Sequence, residues 1–268
     1  ADGMGGLGGG DTASQAGIDQ FVRQFYAVTA SQDMKARTET ALEAANVFVR
    51  EQAARVGLNR IGSTAAGVIV KGDGSALVFN VGDCRVYRLR NGHLERLSRD
   101  QSVMQRQIEA GVMTEEQAKS ARNSMVTAFL GQPFPIVAEY FNERIEPGDT
   151  FLICSDGLWS LATDPELLKL VSGYRASESV KRLVKLALDR GGNDNITCIV
   201  ARFGPPPVAG PKLGPAFLLS LVVLAVAAIL FVAMGSTNAG SSTPTTQPPA
   251  SETPTLETGT PGFTETAG

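Results

Sequence analysis

The 268 residues, 43% hydrophobic and 19% charged, are enough to bury one sizeable core and leave material for an appendage. A formal net charge of -3 supplies no broad basic field, so nucleic acid is not expected as a partner. Cys84, Cys154 and Cys198 are too widely spaced for a disulfide framework or a zinc site and read as buried reduced thiols, and the single histidine, His93, sits in a turn, so histidine-based catalysis has no support.

Residues 11–56 place apolar side chains at helical spacing, first Ile18, Phe21, Phe25 and Val28, then Ala41, Leu42, Ala45, Phe48 and Val49, which predicts two helices parted near Ser31-Gln32-Asp33. Short β-prone runs follow at 65–70, 75–81, 86–90 and 93–97. Gly72-Asp73-Gly74 and Asn91-Gly92 punctuate them as in an antiparallel meander. Residues 100–122 read as helix, with Thr114 as an N-cap ahead of Glu115 and Glu116. Strands are expected at 136–145 and 150–154, helices at 165–171 and 178–189, and a last strand at 196–203. Elements in blocks rather than strict alternation predict an α+β architecture with antiparallel sheets.

The composition breaks after Phe203. A Pro/Gly linker is expected over 204–215, beginning Gly204-Pro205-Pro206-Pro207. Residues 216–234 carry no charge over 19 positions, which predicts one transmembrane helix. Residues 235–268 are rich in Thr, Pro, Ser and Gly with no Lys or Arg, and read as a disordered tail. Arg202 and Lys212 precede the span, so the expectation is a single-pass protein of the cell membrane. Residues 216–234 would then contact lipid, with the large domain in the cytoplasm and the tail outside.

The chemistry lies in aspartates. Asp2-Gly3-Met4-Gly5-Gly6, Gly82-Asp83-Cys84-Arg85, Ser155-Asp156-Gly157-Leu158 and Asn193-Asp194-Asn195 each put an acid at a strand end or in a glycine turn. Any one Asp-Gly is most simply a turn. Four of them joined to apolar β-runs, in a chain with no other candidate nucleophile or base, point to a carboxylate cluster for hard divalent cations. Gly3-Met4-Gly5-Gly6-Leu7-Gly8 also fits G-x-G-x-x-G. The chain is still helical where a dinucleotide fold needs its next strand, so that reading fails.

With Ala13-Ser14, Gly62-Ser63-Thr64-Ala65 and Asp194-Asn195-Ile196-Thr197, these motifs, in this order, resemble the bacterial form of the metal-dependent protein phosphatases of type 2C, over residues 1–203. The resemblance implies a four-layer αββα sandwich of two antiparallel sheets flanked by helices, to which the C-terminal transmembrane helix is added. It implies Mn²⁺ or Mg²⁺, with Asp2 bridging two ions, the Gly3 carbonyl on the second, Asp156 and Asp194 completing the first, and Asp83 with Asp156 holding a third. A water between two cations would attack phosphorus of a phosphoserine or phosphothreonine protein substrate. Residues 101–135 would form a flap beside the site.

Met4 stands where some relatives have a histidine. The resemblance implies a strand ahead of Ala1 that carries a phosphate-gripping arginine and an acid, and without it the second ion is expected to be short of ligands. Two other readings follow: a non-catalytic membrane-anchored module that binds phosphoproteins, and a domain switched by its external tail. A serine/threonine kinase at the same membrane is the partner the family implies.

Overall fold

The structure, a computed structural model, describes residues 1–5, 9–27, 33–55, 57, 61–120 and 125–204. Its frame is two antiparallel four-stranded sheets. The first runs in the order β1 (Asp2–Met4), β2 (Gly62–Val70), β3 (Ser75–Val81), β6 (Glu139–Arg144). The second runs β5 (His93–Arg96), β4 (Arg85–Arg90), β7 (Thr150–Cys154), β8 (Cys198–Arg202). Helices α1 (Gly9–Ala27) and α2 (Met34–Arg55) cover the first sheet. The helices α6 (Asp164–Ser172) and α7 (Ala176–Asp189) cover the second.

Strand alternation makes the layers. Phe79 and Val81 of β3 face α1 and α2, packing with Ala13, Leu42, Ala45 and Val49, while Val78, next to Phe79, points to the other sheet. On β7, Leu152 and Cys154 face Leu167, Val171, Leu183 and Ala187 of α6 and α7, while Phe151 turns inward to Val78, Val86 and Leu97. Three apolar clusters fill the three spaces between four layers, so the predicted αββα sandwich is present. Arg88 of β4 and Glu143 of β6 add an ion pair between the sheets. The two N-terminal helices, the strands β2 to β5 and the helices near 165–171 and 178–189 lie where the sequence places them, but the expected meander is split: β2 and β3 pair in the first sheet and β4 and β5 in the second.

Two expected elements are corrected. Residues 100–122 are not one helix. Helix α3 (Val103–Glu109) is capped by the Ser102 hydroxyl, which accepts from the Gln105 amide at 3.2 Å, and the chain turns at Gly111 before α4 (Glu115–Ser120). The Thr114 cap does form, its hydroxyl accepting from the Gln117 amide at 3.2 Å while the Gln117 side chain accepts from the Thr114 amide at 2.8 Å. The strand over 136–145 is shorter, because the Ile136 amide is taken by the Glu43 carboxylate of α2 at 2.8 Å instead of by a strand.

The fold class is the sandwich without the added transmembrane helix, and the single-pass membrane location falls with it. No helix among the described residues is long and apolar enough to cross a membrane. The span at 216–234, the linker beyond Gly204 and the tail at 235–268 lie outside the described residues.

Candidate metal centre

The four acids reach one end of the sandwich from different elements. Asp2 is the first residue of β1, in register with Thr64. Asp83 lies in the turn by which the chain leaves β3 in the first sheet for β4 in the second. Asp156 opens the one-turn helix α5 (Asp156–Trp159) directly after β7. Asp194 lies in the loop before β8.

The motif Gly62-Ser63-Thr64 holds Asp2 from its main chain. The Asp2 amide donates to Thr64 Oγ1 at 3.1 Å, and Ser63 Oγ donates to the Asp2 carbonyl oxygen at 3.0 Å. Ser63 is itself held by Leu130, each amide donating to the other's carbonyl at 3.0 and 2.7 Å. The N-terminus of α1 closes on the same strand so tightly that a Cβ on Gly3 would stand 1.9 Å from the Gly10 carbonyl oxygen. One hydroxyl joins the other two acidic segments: Ser155 Oγ donates to the Asn195 carbonyl at 3.0 Å and accepts from the Thr197 amide at 3.1 Å.

The Asp2 and Asp156 side chains lie within hydrogen-bonding reach of each other, and Asp194 and Asp83 act on them through their charges. The Asp2 carboxyl is pushed up to about 7, first by burial, then by its hydrogen bond to Asp156 and the negative charge of Asp156, Asp194 and Asp83. Burial, followed by the charges of Asp156 and Asp100, pushes Asp83 up to about 7 as well. Burial also raises Asp156; the bond from Asp2 opposes that and Asp194 adds to it. Asp156 Oδ1 is buried without a hydrogen-bond partner.

Among the described residues no three ligand-type side chains close around a single point. As they stand, Asp2 and Asp156 lie side by side rather than in a finished coordination sphere. The orphaned oxygen, the all-carboxylate donor set and the mutual charge repulsion still fit hard divalent cations.

The Protein phosphatase 2C family model matches residues 1–200. The chain belongs to the protein phosphatase 2C family. The serine/threonine protein phosphatase PstP of Mycobacterium tuberculosis is 32% identical over 204 residues, 75% of this chain, and the chain spans 39% of that relative's length. The crystal structure of M. tuberculosis PstP/Ppp superposes with a TM-score of 0.70 at 30% identity, covering 76% of this chain and 86% of that one. A second structure, the PstP catalytic domain in complex with two manganese ions, gives 0.68 at 28% identity over 76% and 85%. The family and the sandwich expected from the sequence are thus both borne out.

The sequence alone did not assign the residues that hold the acids. Ser63, Thr64 and Ser155 lie inside the acidic and glycine motifs, but a hydroxyl there carries no local signal of the backbone it will hold. Trp159 had no signal, because its bond to the Asp83 carbonyl spans 76 residues. His93 is exposed at the start of β5.

Two measurements follow. A Cβ on Gly157 would stand 2.3 Å from the Asn195 carbonyl oxygen, which is backbone and cannot rotate aside. Gly157→Ala is expected to cost about 1–3 kcal/mol in urea unfolding and to part the Asp194 loop from Asp156, with a fall in Mn²⁺ affinity by calorimetry.

The raised carboxyls set the second. Folded Asp2 and Asp83 keep protons that the unfolded chain releases near 3.8. Between about pH 4 and pH 7 the unfolded state therefore binds fewer protons, so the cation-free protein loses stability as pH rises through that window. Calorimetry in chelator should show the melting temperature falling by a few degrees across it, with a smaller fall in Asp2→Asn.

Proposed function

We propose that this domain hydrolyses phosphoserine and phosphothreonine on proteins with Mn²⁺ or Mg²⁺. The observation that carries the reading is the Asp2–Asp156 contact, with a buried carboxylate oxygen of Asp156 left unpartnered and Asp194 and Asp83 adding charge. Family membership supports the reaction class, and the two manganese ions of the PstP catalytic domain support the choice of cation.

In this reading Asp2 and the Gly3 carbonyl, with Asp156 and Asp194, would hold two ions, and Asp83 with Asp156 would hold a third. The ions would supply a water acidic enough to be a nucleophile near neutral pH and positive charge to offset the phosphoryl oxygens. The chain's part is placement. Ser63 and Thr64 fix the main chain of Asp2, and Ser155 fixes the Asn195 and Thr197 backbone that carries Asp194. Burial keeps the carboxyls at a high affinity for either a proton or a cation. The substrate is then the product of a protein serine/threonine kinase.

The test is hydrolysis of a phosphothreonine peptide by the intact protein. Release of phosphate should need Mn²⁺ or Mg²⁺, stop in chelator and return when the cation is restored. Tight binding of the phosphopeptide with no turnover at any Mn²⁺ concentration would sink the enzyme reading in favour of a binding module.

A further inference from the structure

Trp159 is the chain's single tryptophan and closes the same helical turn that Asp156 opens. Leu158, between them, is fully buried, which pins the turn. The indole is used twice. Its Nε1–H donates to the Asp83 carbonyl oxygen at 2.9 Å, and its face carries the Arg85 guanidinium 3.5 Å from the ring centroid. Arg85 is locked to the Asp100 carboxylate by bonds of 3.1, 3.2 and 2.7 Å. Asp83 and Arg85 flank Cys84, so one ring touches the turn out of β3 at two points. An indole offers a donor that does not titrate together with a face that attracts cations. Phenylalanine would keep the face and lose the donor.

We infer that Trp159 is a positioning residue of the metal centre, tying the turn that bears Asp83 to the helical turn that bears Asp156 so that the two carboxylates keep one spacing. The inference rests on the metal reading above. Asp83 is 6% exposed, so its carboxylate cannot be re-aimed into solvent; moving its carbonyl off the indole would move the acid with it. Holding a ligand through an outer partner in this way typically changes cation affinity by about 10- to 100-fold.

The experiment is calorimetric Mn²⁺ titration of the intact protein, Trp159→Phe, Asp83→Asn and the double variant. Trp159→Phe should weaken the weakest resolved Mn²⁺ site about tenfold. It should leave the tighter binding within about twofold and add nothing once Asp83 is already Asn. An unchanged weak site in Trp159→Phe, or an equal loss with and without Asp83, overturns the inference alone. A parent protein that takes up no Mn²⁺ overturns the metal reading and the inference together.

The unaltered ring supplies a second measurement that does not depend on how well Trp159→Phe folds. Tryptophan emission can come only from residue 159, and paramagnetic Mn²⁺ should quench it at the midpoint of the weakest site, an effect lost in Asp83→Asn. Emission that does not respond at that midpoint in the parent counts against the inference.

Discussion

Asp156→Asn is expected to lower kcat/KM for a phosphothreonine peptide by about 10³-fold while raising the melting temperature of the cation-free protein at neutral pH. Asparagine has the same shape, so Leu158 and Gly157 stay buried and α5 keeps its place. What disappears is one negative charge in a group where Asp2 and Asp83 are already pushed up to about 7. Removing it relieves the repulsion that destabilises the empty site, and the new amide can donate to Asp2. A change that stabilises the fold and abolishes turnover cannot be explained by damage to the core. Retention of more than a tenth of the parent rate would remove Asp156 from the mechanism. Peptide kinetics at saturating Mn²⁺ and a melting curve in chelator are the two measurements.

Arg85→Ala is the largest stability effect expected. Asp100 is 6% exposed at its side chain, and Arg85, itself only 18% exposed, meets it with three hydrogen bonds. Truncating the arginine leaves a buried carboxylate that, among the described residues, has only Arg96, at 3.9 Å, to offset it. Losing one member of a buried pair in this way costs about 3–5 kcal/mol. The loss should appear as a lower urea midpoint. Because the cost is the abandoned charge and not the missing contact, Arg85→Met combined with Asp100→Leu should recover most of it. A double variant as weak as Arg85→Ala would mean instead that the stacking of Arg85 on Trp159 is what matters.

The frame was legible in the sequence wherever a pattern is local. The β3 run Ser75–Val81 shows its strand by length and composition, and α7 shows its helix by the spacing of Leu183 and Ala187. The turn at Asn91-Gly92 was equally plain. What escaped depends on distant partners. β1 is three residues long and is a strand only because β2 pairs with it. α5 has four residues, too few for any period. The break between α3 and α4 turns on Ser102 and Thr114 each capping its own helix, two signals that the composition of 100–122 blurred into one.

At the site the acids themselves could be read, since Asp beside Gly at the end of an apolar run is a visible mark. Their anchors could not. Ser63, Thr64 and Ser155 are ordinary hydroxyl residues until the fold brings the Asp2 and Asn195 backbone to them. The apolar stretch at 216–234 shows the opposite limit: a lack of charge over 19 positions states a capacity, and the described helices provide no spanning element to match it.

Asp2 belongs to one sheet, Asp156 follows a strand of the other, and Asp83 sits where the chain passes between them. The gap across which these oxygens face one another is therefore gauged by a thin filling of Val78, Val86, Leu97 and Phe151. A methylene added or trimmed there would act like a shim between two plates and retune cation preference from a distance. The same edit beneath either outer helical layer would leave the gauge as it was.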